Sequence, residues 1–274
     1  MIFGEASGNG HSPDAAKVDV RVDAPSGTIV LNFKSKRNAM SRSLMDQLTQ
    51  AFQDLHLEKR VRAVILTGAG DAFCSGTDLQ ELQEAAQNDD QGFAVWFDDV
   101  ERLKTLYETM IQFPKPIIAA VNGMAAGTGL GLVAAADIVI AAPTAQFSTP
   151  EPKRGLVSGL VTPLLAFRIG GGLAANWLLR SQTIDARRAF EIGLVHELVE
   201  TDLLWAKAQA IAAEVAESAA ESILITKRML YESVGEDLTK FMASAAASMA
   251  TARTTEAAQE GITAFLEKRS PKWP

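Results

Sequence analysis

Residues 117–133 read IIAAVNGMAAGTGLGLV. The apolar run from Ile117 to Val121 predicts a buried strand and Asn122-Gly123 a turn, after which Gly127, Gly129 and Gly131 lead into a small-residue helix ending before Asp137. Glycine lets a backbone be approached closely, and the first N–H groups of a helix lack intrahelical acceptors. Such a junction suits a negatively charged oxygen, of a phosphate or of an enolate. Three readings compete. A dinucleotide fingerprint, Gly-x-Gly-x-x-Gly, needs its third glycine at Leu132, and Gly131 comes one residue early. A phosphate-cradling P-loop fails because no Gly-Lys-Ser or Gly-Lys-Thr follows. The third reading gives the glycines only the task of letting a helix pack tightly on its neighbours.

Upstream, residues 61–82, VRAVILTGAGDAFCSGTDLQEL, predict a strand over 62–67, a glycine-rich loop and a helix start at Asp78. Taken with AVNGMAAG at 120–127 and AQFSTPE at 145–151, this stretch resembles the enoyl-CoA hydratase/isomerase family, the crotonase superfamily. The resemblance runs from about Val18 through FLEKR at 265–269, with three motifs in the family's order and spacing. It implies an α/β fold, a crotonase-like spiral of stacked strand-strand-helix turns followed by a helical oligomerisation layer. The implied divisions are a flexible tail at 1–16, the spiral core at 17–200 and the helical region at 201–274.

Composition bounds the function independently. The chain has 274 residues, 47% hydrophobic and 22% charged, as in an ordinary globular protein. A net charge of −7 argues against a general nucleic-acid or anionic-membrane surface, while allowing a local basic pocket. The single cysteine, Cys74, forms no intrachain disulfide and fits a reducing compartment; it reads as a small packed thiol rather than a nucleophile. No apolar run has transmembrane length, residues 1–16 lack signal and transit character, and Pro271-Lys-Trp-Pro is no peroxisomal address. A cytoplasmic protein is expected, with no metal and no cofactor beyond the coenzyme A carried by a substrate.

Along the chain, residues 18–22 and 28–33 alternate around Pro25-Ser26-Gly27 and predict a hairpin. Ser41 caps a helix in which Leu44, Met45, Leu48, Phe52 and Leu55 recur at helical spacing. A helix over 79–84, a polar break at 87–92 and a helix over 95–111 come next, the last stopped by Phe113-Pro114-Lys115-Pro116. Short strands follow at 137–141 and 146–148, and the recurring strand, strand, helix order suggests a spiral rather than a doubly wound sheet. From Gly159 the chain reads as helix, with Gly170-Gly-Gly as a stop, a helix start at Asp185 and a short strand within 194–199. Beyond Thr201, Ala243, Ala245, Ala246, Ala247 and Ala250 allow close helix contact, within one chain or, as the resemblance implies, in a homotrimer or a dimer of trimers.

The resemblance also implies the chemistry. An acyl-CoA or enoyl-CoA thioester would place its carbonyl oxygen between the backbone N–H groups of Thr77 and Thr128, where charge developing on that oxygen is stabilised. Thr128 departs from the family's usual glycine. Contacts to substrate and coenzyme A are implied for Lys36, Arg37, Ala39, Ser75, Gly76, Asp78, Leu79 and Gly127, and for Phe265 and Lys268, the last two often on a neighbouring subunit. On charge pattern alone, Lys34, Lys36 and Arg37 would be a solvated run. Hydratases of the family usually carry two glutamates. Here Gly131 stands at the first position, Glu151 keeps the second, and Gly131→Glu would restore the pair if the pocket has room. One carboxylate suffices to move a double bond, whereas hydration ordinarily asks for a second group to orient water. Isomerisation, hydration, a lyase or retro-aldol reaction, and an acyl-CoA-binding scaffold without catalysis all remain open at this point. His11, His56 and His196 lie outside the motifs.

Overall fold

A computed structural model describes residues 17–86 and 92–274; the expected tail, 1–16, and all of the expected break at 87–92 but Gly92 lie outside them. The chain opens with an antiparallel hairpin, β1 (Val18–Asp23) and β2 (Ser26–Leu31). Its connection is Ala24-Pro25 alone, so Ser26 and Gly27, expected in the turn, belong to β2. Leu55 packs there so closely that a Cβ on Gly27 would lie 2.7 Å from its Cδ2. A 3-10 turn, Lys34–Lys36, precedes α1 (Arg42–Leu57), whose cap is Ser41: its hydroxyl accepts the N–H of Leu44 at 3.2 Å. The five predicted apolar positions of α1 are all buried.

Three turns of strand, strand and helix follow. The first is β3 (Ala63–Gly68), β4 (Ala72–Cys74), α2 (Leu79–Ala86) and α3 (Gly92–Gln112). The second is β5 (Ile117–Val121), β6 (Met124–Ala126) and α4 (Thr128–Ala135). The third is β7 (Ile138–Ala141), β8 (Gln146–Ser148), a 3-10 turn at Glu151–Arg154, and α5 (Val161–Ile169). Then come α6 (Gly171–Arg180), β9 (Thr183–Asp185), α7 (Ala186–Glu191) and β10 (Glu197–Leu198). The first strand of each turn enters a six-stranded sheet of order β1-β2-β3-β5-β7-β10, and the second a four-stranded sheet of order β4-β6-β8-β9. Between successive turns the pairing is parallel. Each turn thus climbs by one strand in both sheets, which is the expected spiral.

In the second half Gly170 stops α5 at φ +80, as expected, and Gly171 and Gly172 begin α6. The strand within 194–199 shrinks to the two residues of β10, because only Glu197 and Leu198 find partners on β7.

Beyond residue 201 lie α8 (Leu204–Ala216), α9 (Ala220–Val234), α10 (Glu236–Ala252) and α11 (Glu256–Leu266). Leu204, Ala208, Ile211 and Ala212 of α8 pack on the large sheet against Ala63, Ile65, Ile118 and Ile140. Residues Leu238, Met242, Ala246 and Ala250 of α10 enter the main core with Leu103, Leu106 and Leu164. Of the small residues expected to allow close contact, Ala246 and Ala250 are therefore used inside the chain, while Ala243 and Ala247 are exposed. Among the described residues no helix is long and apolar enough to cross a membrane.

Candidate active site

The two glycine-rich loops meet at the start of α4. Gly76 has φ +96, and a Cβ there would lie 2.9 Å from the carbonyl oxygen of Ala126 and 3.9 Å from the Cα of Gly127. Neither the N–H of Thr77 nor that of Thr128 has an acceptor among the described residues. Thr128 is the first helical residue of α4 after Gly127, so its N–H is one of the donors a helix leaves over. The two threonine hydroxyls are 3.5 Å apart.

The basic loop is stitched to the same place from the other side. Asn38 is buried with φ +55; its amide donates to the carbonyls of Ala69, Ala72 and Phe73 at 3.0, 2.9 and 3.2 Å and its oxygen accepts the N–H of Phe33 at 2.8 Å. Met40 and Asp78 then donate from their backbones to Gly76 and Met40 carbonyls at 2.8 and 3.1 Å, making a bridge that fixes Thr77 in register. Ser75 donates through its backbone N–H to the Arg37 carbonyl, and through its hydroxyl to that of Lys36, both at 3.1 Å. The Lys36 ammonium pairs with Asp78 at 2.6 Å, joining two of the residues expected to meet coenzyme A.

The three glycines at the start of α4, its cap Gly127 included, have separate reasons. Gly127, at φ +50, faces the carboxylate of Glu151, whose Oε1 would overlap a Cβ there. Gly129 lies against Cys74, and a Cβ there would come 2.9 Å from its Sγ. Gly131 lies against Tyr107, whose hydroxyl would overlap a Cβ and whose ring carbon Cε2 would be 3.0 Å away. Tyr107 is fully buried and donates to the Thr128 carbonyl at 2.6 Å. The expectation that Gly131→Glu could restore a second carboxylate is corrected here: that space holds the phenol.

Glu151 begins the 3-10 turn, and its Oε2 accepts the Ser158 hydroxyl at 2.8 Å. Burial pushes its carboxyl above the ordinary 4.5, opposed by its own backbone N–H, by Ser158 and by the charge of Arg154. Arg154 lies over the ring of Phe265, 4.2 Å from its centroid. Phe265 is thus placed beside the Glu151 turn by the chain's own α11, whereas Lys268 is exposed at φ +56. A cavity of about 20 Å³ under the loops is lined by Thr77, Thr128, Met40, Met45, Leu82 and Arg253 among others. Another, of about 580 Å³, lies between the end of α3 and α9; its buried Lys227 is already paired with Asp137 at 2.6 Å.

Other expected residues find quieter places. Ala39 is buried, Arg37 is exposed at φ +50, and Leu79 packs with Leu82, Trp96 and Ile262 of α11. Cys74 is buried, its thiol pushed up to about 12 by burial. The Nδ1 of His196 accepts the Val139 N–H at 3.0 Å, a structural role. Asn38, Tyr107, Ser158 and Arg253 also belong to the site, although no motif in the sequence marks them. Of these, only Asn38 carried a local signal, since asparagine tolerates the left-handed conformation after a basic turn.

Comparison with known proteins agrees with this architecture. An enoyl-CoA hydratase of Mycobacterium avium superposes with a TM-score of 0.83 at 29% identity, over 94% of this chain and 99% of that one. The short-chain-enoyl-CoA hydratase of Clostridium acetobutylicum is 30% identical over 88% of this chain and 91% of its own length. A Thermus thermophilus protein provisionally named an enoyl-CoA hydratase is 36% identical over 89% of this chain and 96% of its own. The family model described as enoyl-CoA hydratase/isomerase matches residues 24–274. With the spiral, the paired glycine loops and this match across nearly its whole length, the chain belongs to the enoyl-CoA hydratase/isomerase family.

Proposed function

We propose that the protein acts on an enoyl-CoA thioester through an enolate, with Glu151 as the single acid/base. The thioester carbonyl sits between the N–H groups of Thr77 and Thr128. Removing a proton from the α-carbon moves the electron pair onto that oxygen, and donors already aimed at it stabilise the charge without reorganisation. A buried carboxylate with a raised pKa is the stronger base, and Ser158 orients it. Returning the proton to the γ-carbon shifts the double bond and restores the carboxylate.

The observation that carries this reading over hydration is Tyr107 filling the space at Gly131, which leaves Glu151 without a second glutamate at that position. Hydration is the second reading, supported by the relatives named hydratases. A panel of short, long, branched and aromatic 2- and 3-enoyl-CoAs, followed for both water addition and double-bond migration, separates the two. Migration without hydration supports the first reading, and hydration as the faster reaction overturns it. Deuterium exchange at the α-carbon of a saturated acyl-CoA tests whether the fold catalyses at all: no exchange with a bound thioester would leave a non-catalytic scaffold.

We propose a cytoplasmic homotrimer or pair of trimers, in which the exposed apolar side chains Leu224, Ile225 and Leu230 of α9 and Phe241 of α10 are surface that a neighbouring subunit could cover. Sedimentation should then give a multiple of three 29.3 kDa chains, and a stable monomer would remove the claim.

A further inference from the structure

One wall of the cavity under Thr77 and Thr128 is charged. Arg253, at the end of α10, is only 4% exposed. A guanidinium carries five N–H donors. Among the described residues only its Nη1 has an acceptor, the carbonyl of Trp96 at 3.2 Å. Three carboxylates, Asp78, Glu81 and Asp99, line the same cavity, and each has another partner. Asp99 lies 4.0 Å from that nitrogen and gives both oxygens to Arg42, accepting at 2.6 and 2.9 Å. Glu81 accepts the backbone N–H of Arg42 at 2.9 Å, and Asp78 pairs with Lys36 at 2.6 Å. Burial pushes the Arg253 guanidinium down to about 10, as expected of a cation that has lost water without gaining a close counter-ion; Asp99 offsets this in part.

An arginine with idle donors in a wall shared with the reacting carbonyl is placed to receive a ligand that enters there. Resting on the reading that the thioester carbonyl binds at Thr77 and Thr128, we propose that Arg253 recognises a carboxylate at the far end of the acyl group. The substrate class is then CoA monothioesters of short dicarboxylic acids. Guanidinium and carboxylate match in plane and charge, so the pair can be bidentate. The space of about 20 Å³ holds little more than one water, which favours a short acyl group. Met40 and Met45, unbranched and adaptable, are the lining side chains that can turn aside for it. A plain alkyl tail would strand the same donors against hydrocarbon, the kind of mismatch that gives polar sites their discrimination.

The experiment measures binding of succinyl-, glutaryl- and adipyl-CoA against butyryl-, pentanoyl- and hexanoyl-CoA, in wild type and in Arg253→Gln and Arg253→Lys. At least one dicarboxylic thioester should bind about ten- to a hundredfold more tightly than its uncharged match, as expected of a charge-assisted hydrogen bond. Arg253→Gln should bring that ratio close to one, and Arg253→Lys should retain part of it. Melting curves establish that each variant is folded. If Arg253→Gln does not fold, the Arg253→Lys ratio and the wild-type preference still decide. Uncharged thioesters binding as well as every dicarboxylic one overturns this inference and leaves the proposed function standing. Arg253→Gln weakening both classes equally also overturns it, because the arginine would then be structural. If no CoA thioester binds, both readings fall together.

Discussion

The hydroxyl of Tyr107 stands where a side chain on Gly131 would begin, and it donates to the carbonyl of Thr128 at 2.6 Å. The phenol is fully buried, with its proton held well above the ordinary range by burial first and by the nearby Cys74 and Glu151 next. It therefore serves as a neutral post beneath the first turn of α4. Gly131→Ala should cost roughly 1–3 kcal/mol, the usual range for overpacking. In a Tyr107→Leu background the same substitution should cost less, because the ring it meets is gone. Urea unfolding of the four proteins gives the coupling directly, and purely additive costs would show that the two residues do not contend for one space.

Glu151→Gln separates stability from turnover. Turnover should drop by about 10²–10⁴-fold while thioester affinity changes little, as for a lost general acid/base. Stability should move the other way. The folded carboxyl has a raised pKa, so the native state holds its proton to a higher pH than the unfolded chain. That contribution is complete below the ordinary 4.5 and is lost as pH rises through the folded value. Glutamine escapes the loss, so the variant should melt higher than wild type near neutral pH and converge with it in acid. By the same shift, the acid limb of kcat/KM should lie above the ordinary carboxylate range. A variant that melts lower at pH 7 and keeps its rate would remove Glu151 from the mechanism.

The spiral was legible because β3, β5 and β7 are continuous apolar runs, buried on both faces in a parallel sheet. The strands of the small sheet were not. Ala72–Cys74 and Met124–Ala126 are three residues each, too short to show a period, and they are strands because they pair with each other and, for the second, with Gln146–Ser148. Glycine spacing told that something approaches α4 closely, but Cys74, Tyr107 and Glu151 come from three other parts of the chain, and each claims a different glycine. Arg253 was invisible for a related reason. A lone arginine between Ala252 and Thr254 near a helix end reads as solvated surface until α10 packs against α3 and closes it in.

Lys227 offers a stability test away from the loops. It is 7% exposed, and its ammonium reaches Asp137 at 2.6 Å and the carbonyls of Met110 and Lys115 at 3.4 and 3.3 Å. Asp137 also accepts the N–H of Ile117, the first residue of β5, at 2.8 Å. Lys227→Met should destabilise by about 3–5 kcal/mol, because it removes one partner of a largely buried ion pair and leaves the carboxylate uncompensated. Lys227→Met with Asp137→Asn should recover part of that loss. Denaturation showing less than about 1 kcal/mol for the single change would mean the pair is effectively solvated.

Thr128 allows the proposed oxyanion donor to be deleted without deleting the fold. It is the first residue of α4, where proline is tolerated because the N–H has no intrahelical acceptor and φ is already helical. Proline restricts the preceding residue, but that residue is Gly127 at φ 50 and ψ −119, the mirror image of the extended conformation proline favours before it and open to glycine. Thr128→Pro should therefore fold, and kcat should fall by about 10²–10³-fold, as for loss of one oxyanion donor. Thr128→Ala and Thr128→Gly keep the N–H and remove the hydroxyl that sits 3.5 Å from that of Thr77. Both should stay within about tenfold of wild type, an effect of less than about 1.4 kcal/mol, and accept bulkier acyl groups, since the side chain lines the cavity. The comparison that decides is proline against alanine. Equal rates in two folded variants would show that the Thr128 N–H does not hold the developing charge, whatever the threonine side chain contributes to the shape of the pocket.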